Sequence, residues 1–177
     1  MSRNSVPDFA ELLRGAQHSA VHLEMRDLYA VGDEAGLIER FARTGEIVLD
    51  PTASFWPGWL ATVQDALARG VVMRRARIVS EPVTDYIRWE HAVTALNLGA
   101  GEQVRWLPRR RASDIALPGN DFWLIDDRLT MFHFFTGDGD WADPAFEITG
   151  DPAAVRLCAT AFEAVWERGV PHEKYTV

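Results

Sequence analysis

Arg75 and Arg77 stand two residues apart in the β-branched run VVMRRARIVS, residues 71–80. On an extended strand both side chains leave one face, and Arg74 leaves the other. Tyr86, Arg88, Trp89 and Glu90 follow at the start of the next helical pattern. Crevices beyond strand ends and beside helix N-termini are favoured ligand sites in open α/β sheets. A guanidinium is suited to a two-pronged grip on carboxylate or phosphate. Arg75, Arg77, Tyr86, Arg88 and Trp89, together with Asp121, therefore form the candidate ligand site, suited to a small anionic metabolite or nucleotide. The simpler alternative is internal pairing of these arginines with acids of the C-terminal third, for example Asp121 or Asp126. The sequence leaves both open.

Other residue types of chemical interest do not assemble into a motif. The chain has no GxGxxG, no GxxxxGK[ST], no HExxH and no CxxC. The histidines are scattered at 18, 22, 91, 133 and 172. His18 and His22 have the spacing of one helix face, but no carboxylate motif accompanies them as a metal site requires. The segment TGDGDWADP, residues 136–144, resembles a calcium loop yet lacks the downstream bidentate Glu, and reads as an exposed turn. Ser19, Ser54, Ser80 and Ser113 lie in no nucleophile elbow. No catalytic residue, metal site or cofactor is expected. The least favoured reading of function, a cryptic hydrolase, would pair His133 with Asp126 or Asp127.

Periodicity and capping residues give the framework around these side chains. Helical patterns are expected over 33–43 with Asp33 as cap, over 57–69 with Ser54 as a capping candidate, and over 82–98 opened by Pro82. The last helix is the best specified: Asp151 caps it, Pro152 takes its first turn, Val155, Cys158, Phe162 and Val165 share its apolar stripe, and Gly169 ends it. Strands are expected over 71–80, 103–107, 121–126 and 129–135, the last two as a hairpin turning at Asp126–Asp127, with an edge strand over 145–149. Both faces of the hairpin strands are apolar, which places them inside a sheet covered on both sides. Residues 20–28 alternate only loosely. The order β-α-β-β-β-(β)-α from residue 71 predicts an α/β fold, with α+β as the variant: a mixed central sheet covered by helices. The chain reads as one domain over 1–177, with a mainly helical part, 1–70, packed on a sheet-containing part, 71–177.

Composition narrows the function classes. The formal net charge is −8, which argues against direct nucleic-acid binding. Residues 71–111 nevertheless hold eight Arg against four acids, between two acidic flanks. Arg109, Arg110 and Arg111 form an uninterrupted basic run, and read as a solvated loop beside Pro108. The single Cys158 rules out an internal disulfide and suits a reducing compartment. No apolar stretch approaches membrane-span length, so no membrane partner and a cytoplasmic location are expected. Seven tryptophans are available for core or interface, and Trp56, Trp59 and Trp141 near loops or helix starts suggest a contact patch.

The segments YAVGDE (29–34), FWPGWLATV (55–63), RRARIVSEPVTDYIRWE (74–90), AGEQVRWLPR (100–109) and DFWLIDDRL (121–129) resemble an actinobacterial family of unknown function. Members of that family are often encoded beside helix-turn-helix regulators. The resemblance implies no activity. It points to a non-catalytic regulatory or interaction protein, partner of a helix-turn-helix regulator. A weaker, fold-level similarity is to a degenerate phospholipase D-like half domain. With Asp127 as the acid of its His-x-Lys-x(4)-Asp motif, the His place is Asn120 and the Lys place is Phe122, so phosphodiesterase chemistry is absent on that alignment.

Overall fold

A computed structural model describes residues 9–30, 35–52 and 56–177. Among these, seven strands form one sheet: β1 (Ser19–Glu24), β2 (Val72–Val79), β3 (Gln103–Pro108), β4 (Phe122–Ile125), β5 (Leu129–Phe135), β6 (Trp141–Thr149) and β7 (Val170–Pro171). Five helices pack around it: α1 (Phe9–Gly15), α2 (Ala35–Thr44), α3 (Trp56–Ala68), α4 (Asp85–Ala100) and α5 (Pro152–Arg168). The strand order is β6-β5-β4-β1-β2-β3-β7. β1, β2 and β3 run parallel, and the remaining pairs are antiparallel. The protein is an α/β fold on a mixed sheet, as the element order predicts.

Strand alternation divides the core. On one face, Leu23, Ala76, Ile78, Phe122 and Leu124 pack against Val155, Cys158, Phe162 and Val165 of α5. The stripe of α5 is the one read from its sequence, and Asp151 accepts from Ala153 and Ala154 N–H at 2.8 and 3.0 Å. On the other face, α1 and α3 cover Met73, Trp123 and Ile125, while α4 covers Val104 and Trp106. His22 and Glu24 of β1 and Arg75 and Arg77 of β2 share this second face, whereas Arg74 lies on the α5 face and pairs with Glu163.

Several local expectations shift. β1 is the central strand of the sheet rather than a doubtful segment of a helical part: Val21 and Leu23 enter the α5 core, and the alternate His22 and Glu24 are buried on the other face. α4 starts after Thr84, not at Pro82; the Thr84 side chain accepts from Ile87 N–H at 3.1 Å and so supplies the cap. Gly99 stays helical, and Gly101 closes α4 with φ +103°. β6 begins four residues earlier than 145, and β7 pairs with β3 at the far edge. Asp33 and Ser54 lie outside the described residues. Arg109 to Arg111 form a 3-10 turn, Arg109–Ala112, not a loose loop. Arg109 reaches back across the strand ends, donating to Met25 O at 2.6 Å, Ile78 O at 3.1 Å and Ser80 Oγ at 3.0 Å.

The β4–β5 hairpin turns through Asp126, Asp127 and Arg128; Asp126 and Asp127 both have positive φ, 52° and 49°, and Arg128 N–H donates to Ile125 O at 2.9 Å to close the turn. The Asp126 carboxylate accepts the N–H groups of Gln17, His18 and Ser19 at 2.9, 2.7 and 2.9 Å, locking the entry to β1. Partial burial would raise its pKa; these donors override that and hold it below the ordinary range. Asp126→Ala is expected to cost about 2–3 kcal/mol, since three charge-assisted bonds go and Ala tolerates positive φ poorly. A urea-unfolding midpoint measures it.

Candidate functional site

Pairing register builds the site. In β1 against β2, His22 stands beside Arg75 and Glu24 beside Arg77. In β1 against β4, His22 stands beside Trp123. The same hairpin brings His133 N–H to Asp121 O at 2.9 Å. Two rows of side chains thus cross one sheet face, Trp123–His22–Arg75 and His133–Asp121–Glu24–Arg77. Over them lies a cavity of about 300 Å³. α4 contributes Tyr86, Trp89, Glu90, Val93 and Asn97, which the helical period places on one side; α3 contributes Trp59. Tyr29, Phe135 and Trp141 complete the wall, with Trp141 at the rim, 41% exposed.

Arg75, Arg77, Tyr86, Trp89 and Asp121 therefore converge on the cavity. Arg88 does not: it sits off that side of α4 and pairs with Asp85 at 2.7 Å. The acids that pair the arginines are not Asp121 or Asp126 but Glu24, Glu90 and Glu102. Arg75 donates from Nε to Glu102 and from Nη1 to Glu24, both at 2.7 Å. Arg77 donates from Nε to Glu24 and from Nη1 to Thr94 Oγ1 at 2.5 Å, and its Nη2 lies 2.9 Å from Glu90. The Arg75 guanidinium lies between the Trp59 and Trp123 rings, 5.6 and 5.5 Å from their centroids. Arg77 lies 4.9 Å from the Trp106 ring. An anion would find no uncommitted fork here, and would face three glutamates set against two guanidiniums.

Sequence reasoning misses His22, Glu24, Tyr29, Trp123 and Glu102. The polar pair His22 and Glu24 at strand spacing is the available signal, in a segment too weakly patterned to use. Trp59 and Trp141 belong to this cavity wall rather than to a separate patch; the side chain of Trp56 is outside the described residues. The hydrolase pairing does not form. His133 lies beside Asp121, whereas Asp126 is past the opposite end of β4 and occupied by residues 17–19. Likewise Asn120 and Asp127 flank β4 from opposite ends, and Phe122 points into the α5 core.

Burial sets the protonation states. It pushes Asp121 up to about 7; the Tyr29 hydroxyl and Met25 N–H, both donating to its carboxylate, oppose this, and Glu24 reinforces it. Tyr29 is held well above its ordinary value by burial and by Asp121. Burial pulls His133 down to about 4 and His22 well below the usual imidazole range, so both are neutral at pH 7. Burial would raise Glu24, but Arg75 and Arg77 win and hold it far below the carboxylate range. His22 stacks on Trp123 with centroids 4.3 Å apart. His22 Nδ1 lies 3.5 Å from Glu24 Oε1, whereas Nε2 of His22 and Nε2 of His133 are buried without a hydrogen-bond partner from the protein.

Among the described residues no group of His, Cys, Asp and Glu could hold a metal ion, and no helix is long and apolar enough to cross a membrane. Fold and site define an α/β protein with an aromatic-walled, polar-floored cavity on one sheet face. The chain belongs to the family described as domain of unknown function DUF6879, whose model matches residues 7–177. No curated protein matches it. A solved structure of TrmBL2, an archaeal chromatin protein with a novel mode of DNA binding, is similar at 12% identity and a TM-score of 0.47. The match covers 92% of this chain and 49% of that one, so this chain spans about half its length, and a likeness at that score carries no argument.

Proposed function

We propose that the protein is a non-catalytic regulatory domain that senses a small molecule in the cavity between the sheet and helices α3 and α4. The observation that carries this is the pair of imidazole Nε2 atoms of His22 and His133, buried and without hydrogen-bond partners on the wall of an aromatic-lined cavity. Buried polar atoms are normally satisfied, and a concave apolar site with a few convergent polar groups is the usual form of a small-molecule pocket. The committed guanidiniums move the reading away from the anionic ligand expected from sequence. A single cysteine, Cys158, buried in the core, fits a cytoplasmic location.

The test is a thermal-shift panel of small metabolites on the wild-type protein and on Val93→Phe, which fills the cavity. A ligand at 100 times its Kd adds about 2.7 kcal/mol of stability, several degrees in Tm for a chain of this length. A shift present in the wild type and lost in Val93→Phe is expected. A panel with no saturable shift, or shifts unchanged in the variant, overturns the reading.

A second reading, partner of a helix-turn-helix regulator, is favoured by the apolar triplet Ile47, Val48 and Leu49, exposed by 41%, 37% and 47%. Co-purification with the neighbouring regulator, lost on Val48→Asp, is its expected result. Recovery of the regulator by the variant as well would remove the triplet from consideration.

A further inference from the structure

The walls of the cavity discriminate by charge. The two guanidiniums are enclosed by Glu24, Glu90, Glu102 and Thr94 and by the rings of Trp59, Trp123 and Trp106. Three glutamates against two arginines leave a formal excess of one negative charge, and the Asp121 carboxyl stands on the same floor. The rings of Tyr29, Tyr86, Trp89 and Trp141 add π faces, whose quadrupole favours a cation. With the His22 N–H on Nδ1, 3.5 Å from Glu24 Oε1, its Nε2 offers an acceptor lone pair to a donor, as does the unpartnered Nε2 of a neutral His133. A neutral ring also carries one N–H, so it is the surplus of carboxylate on the floor, not the imidazoles, that opposes an anionic ligand. A quaternary ammonium brings no N–H and would leave the two Nε2 atoms unpartnered. A primary ammonium brings three N–H donors and no acceptor. The volume, about 300 Å³, is at the small end of ligand sites.

Building on the ligand-sensing reading of this same cavity, we infer that it takes a small primary amine in its ammonium form, carrying an aromatic or branched apolar body. The head lies among Glu24, Asp121 and the two imidazoles, and the body lies against Trp89 and Trp141.

Three probes of one shape and different charge test this: 2-phenylethylamine, 2-phenylethanol and phenylacetate. Four of the tryptophans line the cavity, so indole fluorescence reports each titration. At pH 8 the amine is expected to bind at least about tenfold more tightly than the alcohol, with phenylacetate weakest. Asp121→Asn is expected to reduce the amine's advantage over the alcohol by about tenfold, with a circular-dichroism spectrum matching the wild type's as the check that the variant is folded. Equal or tighter binding of the alcohol or of phenylacetate overturns the ammonium class while leaving a ligand site. If none of the three saturates but a metabolite shifts the wild type and not Val93→Phe, ligand sensing stands and the ammonium class falls. If neither assay responds, both fall.

Discussion

Glu24→Ala is expected to lower the unfolding free energy by about 3–5 kcal/mol, the usual cost of removing one partner from a buried ion pair. Glu24 is the shared acceptor of the floor: it takes Arg75 Nη1 at 2.7 Å and Arg77 Nε, with its side chain only 11% exposed. Without it two buried guanidiniums face one another, each with a single glutamate left. The penalty is that of stranded charge, so Glu24→Ala combined with Arg77→Met is expected to cost less than the sum of the single changes. The pH dependence follows from the direction in which the pKa moves. The folded-state pKa of Glu24 is depressed, so its contribution is present above the unfolded value, near 4.5, and is lost as pH falls toward the folded one. The gap between wild type and Glu24→Ala should therefore narrow as pH is lowered below about 4.5. Urea-unfolding midpoints followed by circular dichroism at pH 7 and pH 3 measure both. A constant gap would mean that Glu24 acts through packing alone.

Asp121→Asn has the opposite signature. The folded-state pKa of Asp121 is raised, from 3.8 to about 7. Its favourable contribution is complete below the unfolded value and disappears as pH rises through the folded one. Wild-type stability should fall, relative to Asp121→Asn, by on the order of 4 kcal/mol between pH 4 and pH 8, since each pH unit separating the two pKa values is worth about 1.36 kcal/mol. His22 and His133 titrate in the reverse sense within that range, since burial lowers both. They are common to the two proteins, so the difference between them isolates Asp121. The groups that face it are Glu24, Arg26, Tyr29 and His133, and none is altered by the substitution. A difference independent of pH would show that the carboxyl is ionised throughout.

Stability and binding meet at the same residues. A floor holding an excess carboxylate, a carboxyl near neutrality and neutral imidazoles is costly to bury. A sequence optimised for stability alone would place apolar residues on these strands. The second face is where that local rule is broken, and such breaks concentrate at functional positions.

Features that depend on near neighbours along the chain are legible without coordinates. The period of α5, its Asp151 cap and Gly169 stop, the β-branched run of β2, and the Asp126–Asp127 turn are all local signals, and each element formed where its pattern lay. Alternation along β2 likewise sent Arg75 and Arg77 to one face, and the helical period sent Tyr86 and Trp89 to one side of α4. What those faces meet is settled by packing alone. The short alternation Val21-His22-Leu23-Glu24 reads as a strand with one polar, solvent-facing side, so its central place, with both sides buried, was not legible. With β1 the sequence also concealed Glu24 and His22, which stand beside Arg77 and Arg75 across 53 residues of chain through the parallel register. The side of α4 that takes Glu90 inward and leaves Arg88 outside is fixed by how the helix rolls onto the sheet. Charge pairing at that range depends on strand order and register, which no run of neighbouring residues encodes, and so the cavity is a property of the fold.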